Sequence, residues 1–434
     1  MDGRGTQTRR THTTSSWATR STAGPNSLDS ARPSGWTSTS FAPNGPTCPT
    51  NSRSRPSISC PERWCRTYEN PRSRPESHAS TPPYEQSRPL RLVELDLDRP
   101  GRDEILVCIE AAGLCHSDLS VINGDRPRPV PMLLGHEAAG RVMELGAGVD
   151  DLAVGDRVVL TFLPRCGDCA GCVSNGRTPC AKGSAANNAG TLLSGERRLS
   201  RESGAVHHHL GASAFATAAV VDRRSVVRVD SDVPADIAAL LGCAILTGGG
   251  AVLNVAPPAP GSRVFVVGLG GVGMAALLVA LALPDVSVTG VDPDDRKRET
   301  ARRLGAMAAH PDEARELDRA DLVIEAAGAG PAFETAVSLT APGGTTVAVG
   351  LPHPDVRVPV SPLALVAEGR HIVGSYLGSA VPERDIPTYV AMWRQGRLPV
   401  EELISARIPL SAINRGMDDL AAGRAIRQVI DVTT

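Results

Sequence analysis

Reactive side chains gather in a few short stretches of this 434-residue sequence. In GLCHSDLS (113–120), Cys115, His116, Ser117 and Asp118 follow one another. A lone thiol is a core residue, a nucleophile or a metal ligand. A nucleophile needs a base aimed at it, and neighbouring strand residues point to opposite faces, so His116 is poorly placed for that task. A metal needs partners from elsewhere. CGDCAGCVSNGRTPC supplies Cys166, Cys169, Cys172 and Cys180 with C-x2-C-x2-C-x7-C spacing. Four thiolates this close can surround one tetrahedral Zn2+ with no open position, as a structural site requires, whereas iron–sulfur clusters use other spacings. Arg165, Arg177 and Lys182 are too few cations for a nucleic-acid zinc ribbon. Candidates for a second, open zinc site are Cys115, His136 and Glu137 of LGHEAAG, and Cys243 of LLGCAILTGGG. Singly, each also fits an ordinary core position. Two thiolates and one imidazole together leave a fourth position for water or substrate.

A different chemistry is written in RVFVVGLGGVGMAALL, where Gly268, Gly270 and Gly273 have G-x-G-x-x-G spacing around Gly271. The first glycine allows a tight turn, the second a close approach of pyrophosphate, and the third close helix–strand packing. The helix N-terminus then offers N–H groups to phosphate. Asp292 ends the next strand, VSVTGVD, about 20 residues further on, where an acid accepts hydrogen bonds from ribose and repels the extra phosphate of NADP. The expected cofactor is NAD.

These residues need a scaffold, and the chain is long enough for two or three domains. DEILVCIEAAGLC, AAGRVMELG and VGDRVVL read as short strands of a mainly-β region. From about residue 245, the apolar strands RVFVVG, VSVTGVD, ADLVIEAAG and TTVAVG alternate with helical segments, the pattern of a parallel sheet covered on both faces. VFVVGLGGVGMAALLVALAL (264–283) has the hydropathy of a membrane span, but its glycines mark a buried strand, turn and helix. Residues 1–84 contain only Leu28 and Ile58 among Leu, Ile and Val, so they are expected to be a disordered or spurious extension. A net charge of −2 gives no electrostatic reason to expect nucleic acid or a membrane as partner. No secretory signal is visible, and clustered cysteines suit a reducing, cytoplasmic compartment.

The stretches GLCHSDLS, GHEAAGRVMELG, the four-cysteine lobe, GCAILTG, GLGGVG, GVD and GRAIRQVI stand in the order and spacing of one family. From about Tyr84 to the C-terminus the chain resembles a zinc-dependent medium-chain alcohol dehydrogenase. The resemblance implies an α/β protein: a GroES-like catalytic domain (85–244 and 377–434) around a doubly wound Rossmann domain (245–376), in a homodimer or homotetramer. It also implies two Zn2+ per chain, one held by Cys115, His136 and Cys243 and one by the four-cysteine lobe. Asp118 would orient His136, and Glu137 would lie behind the metal. His116 and Arg427 would face the pyrophosphate, Asp292 and Lys297 the ribose, and Thr247 the nicotinamide. Phe162 and Leu351 would line the substrate pocket, and Ser117 would relay the proton of an alcohol oxidised by NAD.

Three departures from the family pattern stand out. Ser120 occupies the usual histidine position at the relay's end, RLGAMAAHPDEARELDRADLVIE is short for the link it makes, and HASTPPYEQS replaces the opening strand. Two other readings compete. One is a thiol-dependent (glutathione or mycothiol) formaldehyde dehydrogenase, with Arg197, Arg198 and Arg201 at the pocket mouth. The other is a non-enzymatic zinc-stabilised binding protein. The His207–His209 run is expected to be loop or strand edge rather than a metal site.

Overall fold

The computed structural model describes residues 89–432. The expected extension and the HASTPPYEQS stretch lie outside them. The described chain opens with β1 (Asp96–Leu97), the long β2 (Glu104–Gly113) and the short helix α1 (His116–Ile122). Next come β3 (Met132–Leu133), β4 (Ala138–Leu145) and β5 (Arg157–Leu160), then a lobe with helices α2 (Ala170–Val173) and α3 (Ala181–Ala189). Strands β6 (Leu199–Arg201), β7 (Gly204–His208), β8 (Ala218–Asp222) and β9 (Val226–Val229) complete this mainly-β part.

A 21-residue helix, α4 (Ala235–Val255), leads out of it. It is long and apolar enough to cross a bilayer, yet 89% of its apolar window is buried, so it serves as a core helix. Its π-helical turn Leu241–Ile245 carries Cys243, and the helix runs straight through the domain boundary expected at 244/245. Small residues set how closely it packs. A Cβ on Gly242 would lie 2.1 Å from the Leu160 carbonyl oxygen, and one on Gly248 would lie 2.2 Å from that of Val272.

The stretch with membrane-like hydropathy is β10 (Arg263–Val267) and α5 (Gly271–Leu281), as the glycines indicated. The pattern continues through β11 (Ser287–Val291), α6 (Asp295–Arg303), β12 (Met307–Ala309), α7 (Pro311–Ala314), β13 (Ala320–Glu325), α8 (Gly330–Leu339), β14 (Thr340–Ala348), α9 (Pro362–Glu368) and β15 (His371–Gly374). These strands form a six-stranded parallel sheet in the order β12-β11-β10-β13-β14-β15, the doubly wound dinucleotide-binding order. The short link is visible in it, because the crossover from β12 to β13 holds only the single turn α7. The chain then returns through α10 (Pro382–Arg394), β16 (Ile404–Pro409), α11 (Ile413–Ala421) and β17 (Arg427–Asp431).

β17 pairs antiparallel with the end of β2, placing Val429 opposite Gly113. The last strand therefore closes the seven-stranded sheet β16-β17-β2-β4-β5-β9, in which β8 also pairs with β2. One apolar core runs from this sheet through α4 into the parallel sheet, joining Val159, Leu240, Ala276 and Ile324. Leu240 is fully buried on α4 within that core. Leu240→Ala is expected to cost about 2–5 kcal/mol, read as a fall in urea midpoint at constant m-value.

Candidate active site

Four ligand-capable atoms, from Cys115, His136, Glu137 and Cys243, lie within 4.8 Å of one another, and all four residues are buried. Three elements bring them together. Cys115 ends the extended segment after β2 and caps α1, whose first turn carries Asp118. His136 and Glu137 directly precede β4, and Cys243 comes from the π-helical turn of α4. His136 Nδ1 lies 3.1 Å from Asp118 Oδ1, so Nε2 is the nitrogen left facing Cys243 Sγ at 3.6 Å. The donor set suits zinc: two thiols and an imidazole nitrogen converge, and both Glu137 oxygens lack a hydrogen-bond partner.

Asp118 is the anchor of this cluster. It accepts from the Gly135 N–H at 3.2 Å, and His209 Nδ1 lies 3.2 Å from the same oxygen. Burial alone would raise its pKa, but the two imidazoles outweigh this and hold it down to about 2. Burial keeps His209 below the usual histidine range. The contact with Cys243, aided by Arg427 and His136, pulls the Cys115 thiol down and pushes the Cys243 thiol up. Burial pushes the Glu137 carboxyl up, and Arg427 opposes it.

A cavity of about 840 Å³ opens onto this cluster. Cys115, His116, Ser117, Phe162, Cys243 and Thr247 line it on one side. Gly268, Gly270, Gly271, Asp292, Lys297, Leu351 and Arg427 line the rest. The glycine turn fits a phosphate-bearing ligand. Gly268 has φ +92°, which favours glycine, and a Cβ on Gly270 would meet no atom within 4 Å. Gly273 lies below the turn, where a Cβ would be 1.7 Å from the Gly268 carbonyl oxygen. Asp292 is buried; its Oδ2 accepts from the Leu269 N–H (2.7 Å) and its Oδ1 from that of Asp294 (2.8 Å). Lys297 Nζ stands 3.9 Å from Asp292 Oδ2.

The four-cysteine lobe is also assembled. Cys166 and Cys172 sulfurs are 3.8 Å apart and those of Cys169 and Cys180 3.9 Å. A tetrahedron with Zn–S bonds of about 2.3 Å has edges of about 3.8 Å. Backbone N–H groups of Cys166 and Gly183 each donate to Cys180 Sγ at 3.3 Å.

Some expectations did not hold. Arg197, Arg198 and Arg201 do not line the cavity, because Arg198 is tied to the buried Glu104 at 2.7 Å and Arg197 points to His207. The histidine run is not at a loop or strand edge: His207 and His208 lie on β7, which pairs with both β6 and β3, and His209 packs inside against Asp118. Tyr376, Arg126 and His209 were missed; each is a single residue without a motif.

Arg427 is 2% exposed and Glu137 fully buried, with Nη2 and Oε2 3.4 Å apart. Arg427→Gln is expected to destabilise the protein by roughly 3–5 kcal/mol, because it strands a buried carboxylate. The Glu137→Gln/Arg427→Gln double variant should recover part of that loss in a thermodynamic cycle.

Comparison with known proteins agrees with this geometry. The family model for the alcohol dehydrogenase GroES-like domain matches residues 101–231, and that for zinc-binding dehydrogenases matches 271–394. Alcohol dehydrogenase B of Mycobacterium tuberculosis is 35% identical over 363 residues, covering 81% of this chain and 97% of that protein. The crystal structure of benzyl alcohol dehydrogenase from Acinetobacter calcoaceticus superposes with a TM-score of 0.76 at 29% identity, covering 82% of this chain and 99% of that one. A zinc-binding-domain alcohol dehydrogenase protein from Burkholderia ambifaria gives 0.77 at 30% identity, covering 81% and 98%. With both family models matched in chain order and a relative covered almost end to end, the chain belongs to the zinc-dependent medium-chain alcohol dehydrogenases.

Proposed function

We propose that this enzyme oxidises a primary or secondary alcohol to the aldehyde or ketone, reversibly, with NAD as hydride acceptor. The observation that carries the reading is the single cavity shared by Cys115 and Cys243 at one end and the Gly268–Gly273 turn with Asp292 at the other. Cys115, His136 and Cys243 would hold one zinc, and Cys166, Cys169, Cys172 and Cys180 a second. When bound, the first zinc supplies Lewis-acid polarisation of the substrate oxygen, while NAD takes the hydride.

The remaining work belongs to the chain's own side chains. The Ser117 hydroxyl lines the cavity and can accept the alcohol proton while donating its own onward. The Ser120 hydroxyl donates to the His116 carbonyl at 2.9 Å, and with no imidazole at that position the proton leaves to solvent. Phe162, set edge-on to His136 at 5.5 Å between centroids, excludes water from one wall. His116, Arg427 and Thr247 line the cavity, where the first two would hold the pyrophosphate and the third the nicotinamide. Glu137 stays paired behind the metal ligands, and Asp118 fixes the tautomer of His136. In balance, the carbinol carbon would give up a hydride, which bound NAD would accept, and the O–H proton would pass through Ser117 to water. The natural setting is a cytoplasmic homo-oligomer acting on small molecules.

Purified protein given NAD and a panel of primary, secondary and aromatic alcohols should form NADH without any added thiol. Turnover only of formaldehyde with glutathione or mycothiol would overturn the ordinary dehydrogenase reading. Metal analysis should give two Zn2+ per chain. Cys243→Ser should leave one with activity lost, and Cys172→Ser should leave one with lowered thermal stability. Asp292→Ser should narrow the preference for NAD over NADP by about tenfold, measured as the ratio of kcat/KM values.

A further inference from the structure

The buried Arg427 is matched by Glu137, and the partly buried Arg198 and Arg157 by Glu104 and Glu110. Arg126 is different. It lies in the segment after α1, half-buried, with its backbone N–H donating to the Ser120 carbonyl, and it lines the cavity beside Ser117 and Cys115. Among the described residues no ion pair is formed by its guanidinium, and Asp125, exposed and also lining the cavity, acts on it from a greater distance. A second guanidinium, that of Arg128, stands within electrostatic reach and adds like charge. Arg128 Nη1 donates to Asn188 Oδ1 at 2.8 Å, a neutral acceptor, while its Nε is buried without a partner.

An aromatic wall connects these cations to the reacting centre. Phe162 packs edge-on against His136 and, on its other side, edge-on against Tyr376 at 5.7 Å. Both arginines act electrostatically on the Tyr376 hydroxyl. A substrate lying along this wall has its carbinol carbon at Cys115, His136 and Cys243, an apolar body against Phe162, and its far end at Arg126. Asp125 lines the same cavity and acts on Arg126 without forming an ion pair, and a guanidinium left without an ion-pair partner is matched best by a planar anion that accepts two of its N–H groups.

Resting on the dehydrogenase reading above, we infer that the preferred substrate carries an anionic group remote from its carbinol, and that Arg126 is the residue that selects it. The group is a carboxylate or a phosphate ester, and the two are told apart by the test.

The zinc-loaded enzyme with NAD is given 6-hydroxyhexanoate, 6-hydroxyhexyl phosphate and the neutral 6-hydroxyhexanamide. The expected result is a kcat/KM at least about tenfold higher for one anion than for the amide, equivalent to about 1.4 kcal/mol. The better of the two anions identifies the head group. The anion's KM, but not the amide's, should rise with salt. Arg126→Ala should bring the anion-to-amide ratio close to one, Arg126→Lys should restore part of it, and Arg126→Glu should reverse it. Equal turnover of anions and amide by the wild type, or a ratio that survives in Arg126→Ala and Arg126→Glu alike, overturns the assignment of Arg126 and leaves the dehydrogenase reading standing. Turnover of none of them, nor of any simple alcohol, overturns both.

Discussion

The guanidinium of Arg427 is the contact on which the two halves of the site depend. It arrives on the last strand, more than three hundred residues after Leu114, yet Nη1 donates to the Leu114 carbonyl at 2.9 Å. Its Nη2 meets Glu137, and its Nε lies 2.6 Å from where a Cβ on Gly271 would sit. One buried cation thus touches the residue before Cys115, the residue after His136 and the glycine turn of the parallel sheet. Burying a guanidinium this deeply is unfavourable without a partner, and Glu137 supplies one although burial pushes its carboxyl up. The buried pair explains why an acid stands next to His136: it fixes β17 to the region of β2 and β4 from which Cys115 and His136 project.

Helix α4 supplies the second constraint. It carries Cys243 on a π-helical turn and Thr247 one turn later, so one rigid rod delivers two groups to the same side of the cavity. A π-helical turn admits an extra residue and re-aims a side chain that a regular helix would point elsewhere; such turns gather at functional sites. Because Gly242 and Gly248 allow backbone contact with β5 and with Val272 of α5, the rod is gripped from both sides. The spacing between the cysteine cluster and the glycine turn is therefore set by backbone packing.

Much of this was legible in the sequence because it rests on local patterns. The glycine turn needs fixed offsets, the four-cysteine lobe closes within fifteen residues, and apolar runs separated by helical segments dictate a parallel sheet. Arg427 could be placed only through the resemblance of GRAIRQVI to the family. What escaped comes from tertiary contact between residues that no local rule connects. His209 reads as the end of a histidine run, and only the fold shows its ring turned inward against Asp118. Tyr376 and Arg126 belong to segments 250 residues apart, and Phe162 from a third segment joins them. Arg197, Arg198 and Arg201 failed as pocket cations for a related reason: sequence shows a charge but not its counter-charge, and Glu104 of β2 was already committed to Arg198.

The cavity is polarised along its length, and this follows from which charges the scaffold has neutralised. At the glycine turn Asp292 is held by two backbone N–H groups and faces Lys297, so its charge is anchored but not quenched. Elsewhere along the cavity Arg126 forms no ion pair, and Asp125 and the Tyr376 hydroxyl are opposing groups near it. Between them lie apolar walls and the cysteine–histidine cluster, where burial strengthens every electrostatic interaction. On the reading proposed above, neutral ribose hydroxyls would be accommodated beside Asp292 and a phosphorylated ribose disfavoured there, while Arg126 would favour an anion. On the proposals above, cofactor choice and substrate choice are two results of one arrangement, an acid backed by N–H groups in one part of the cavity and a guanidinium without an ion pair in another.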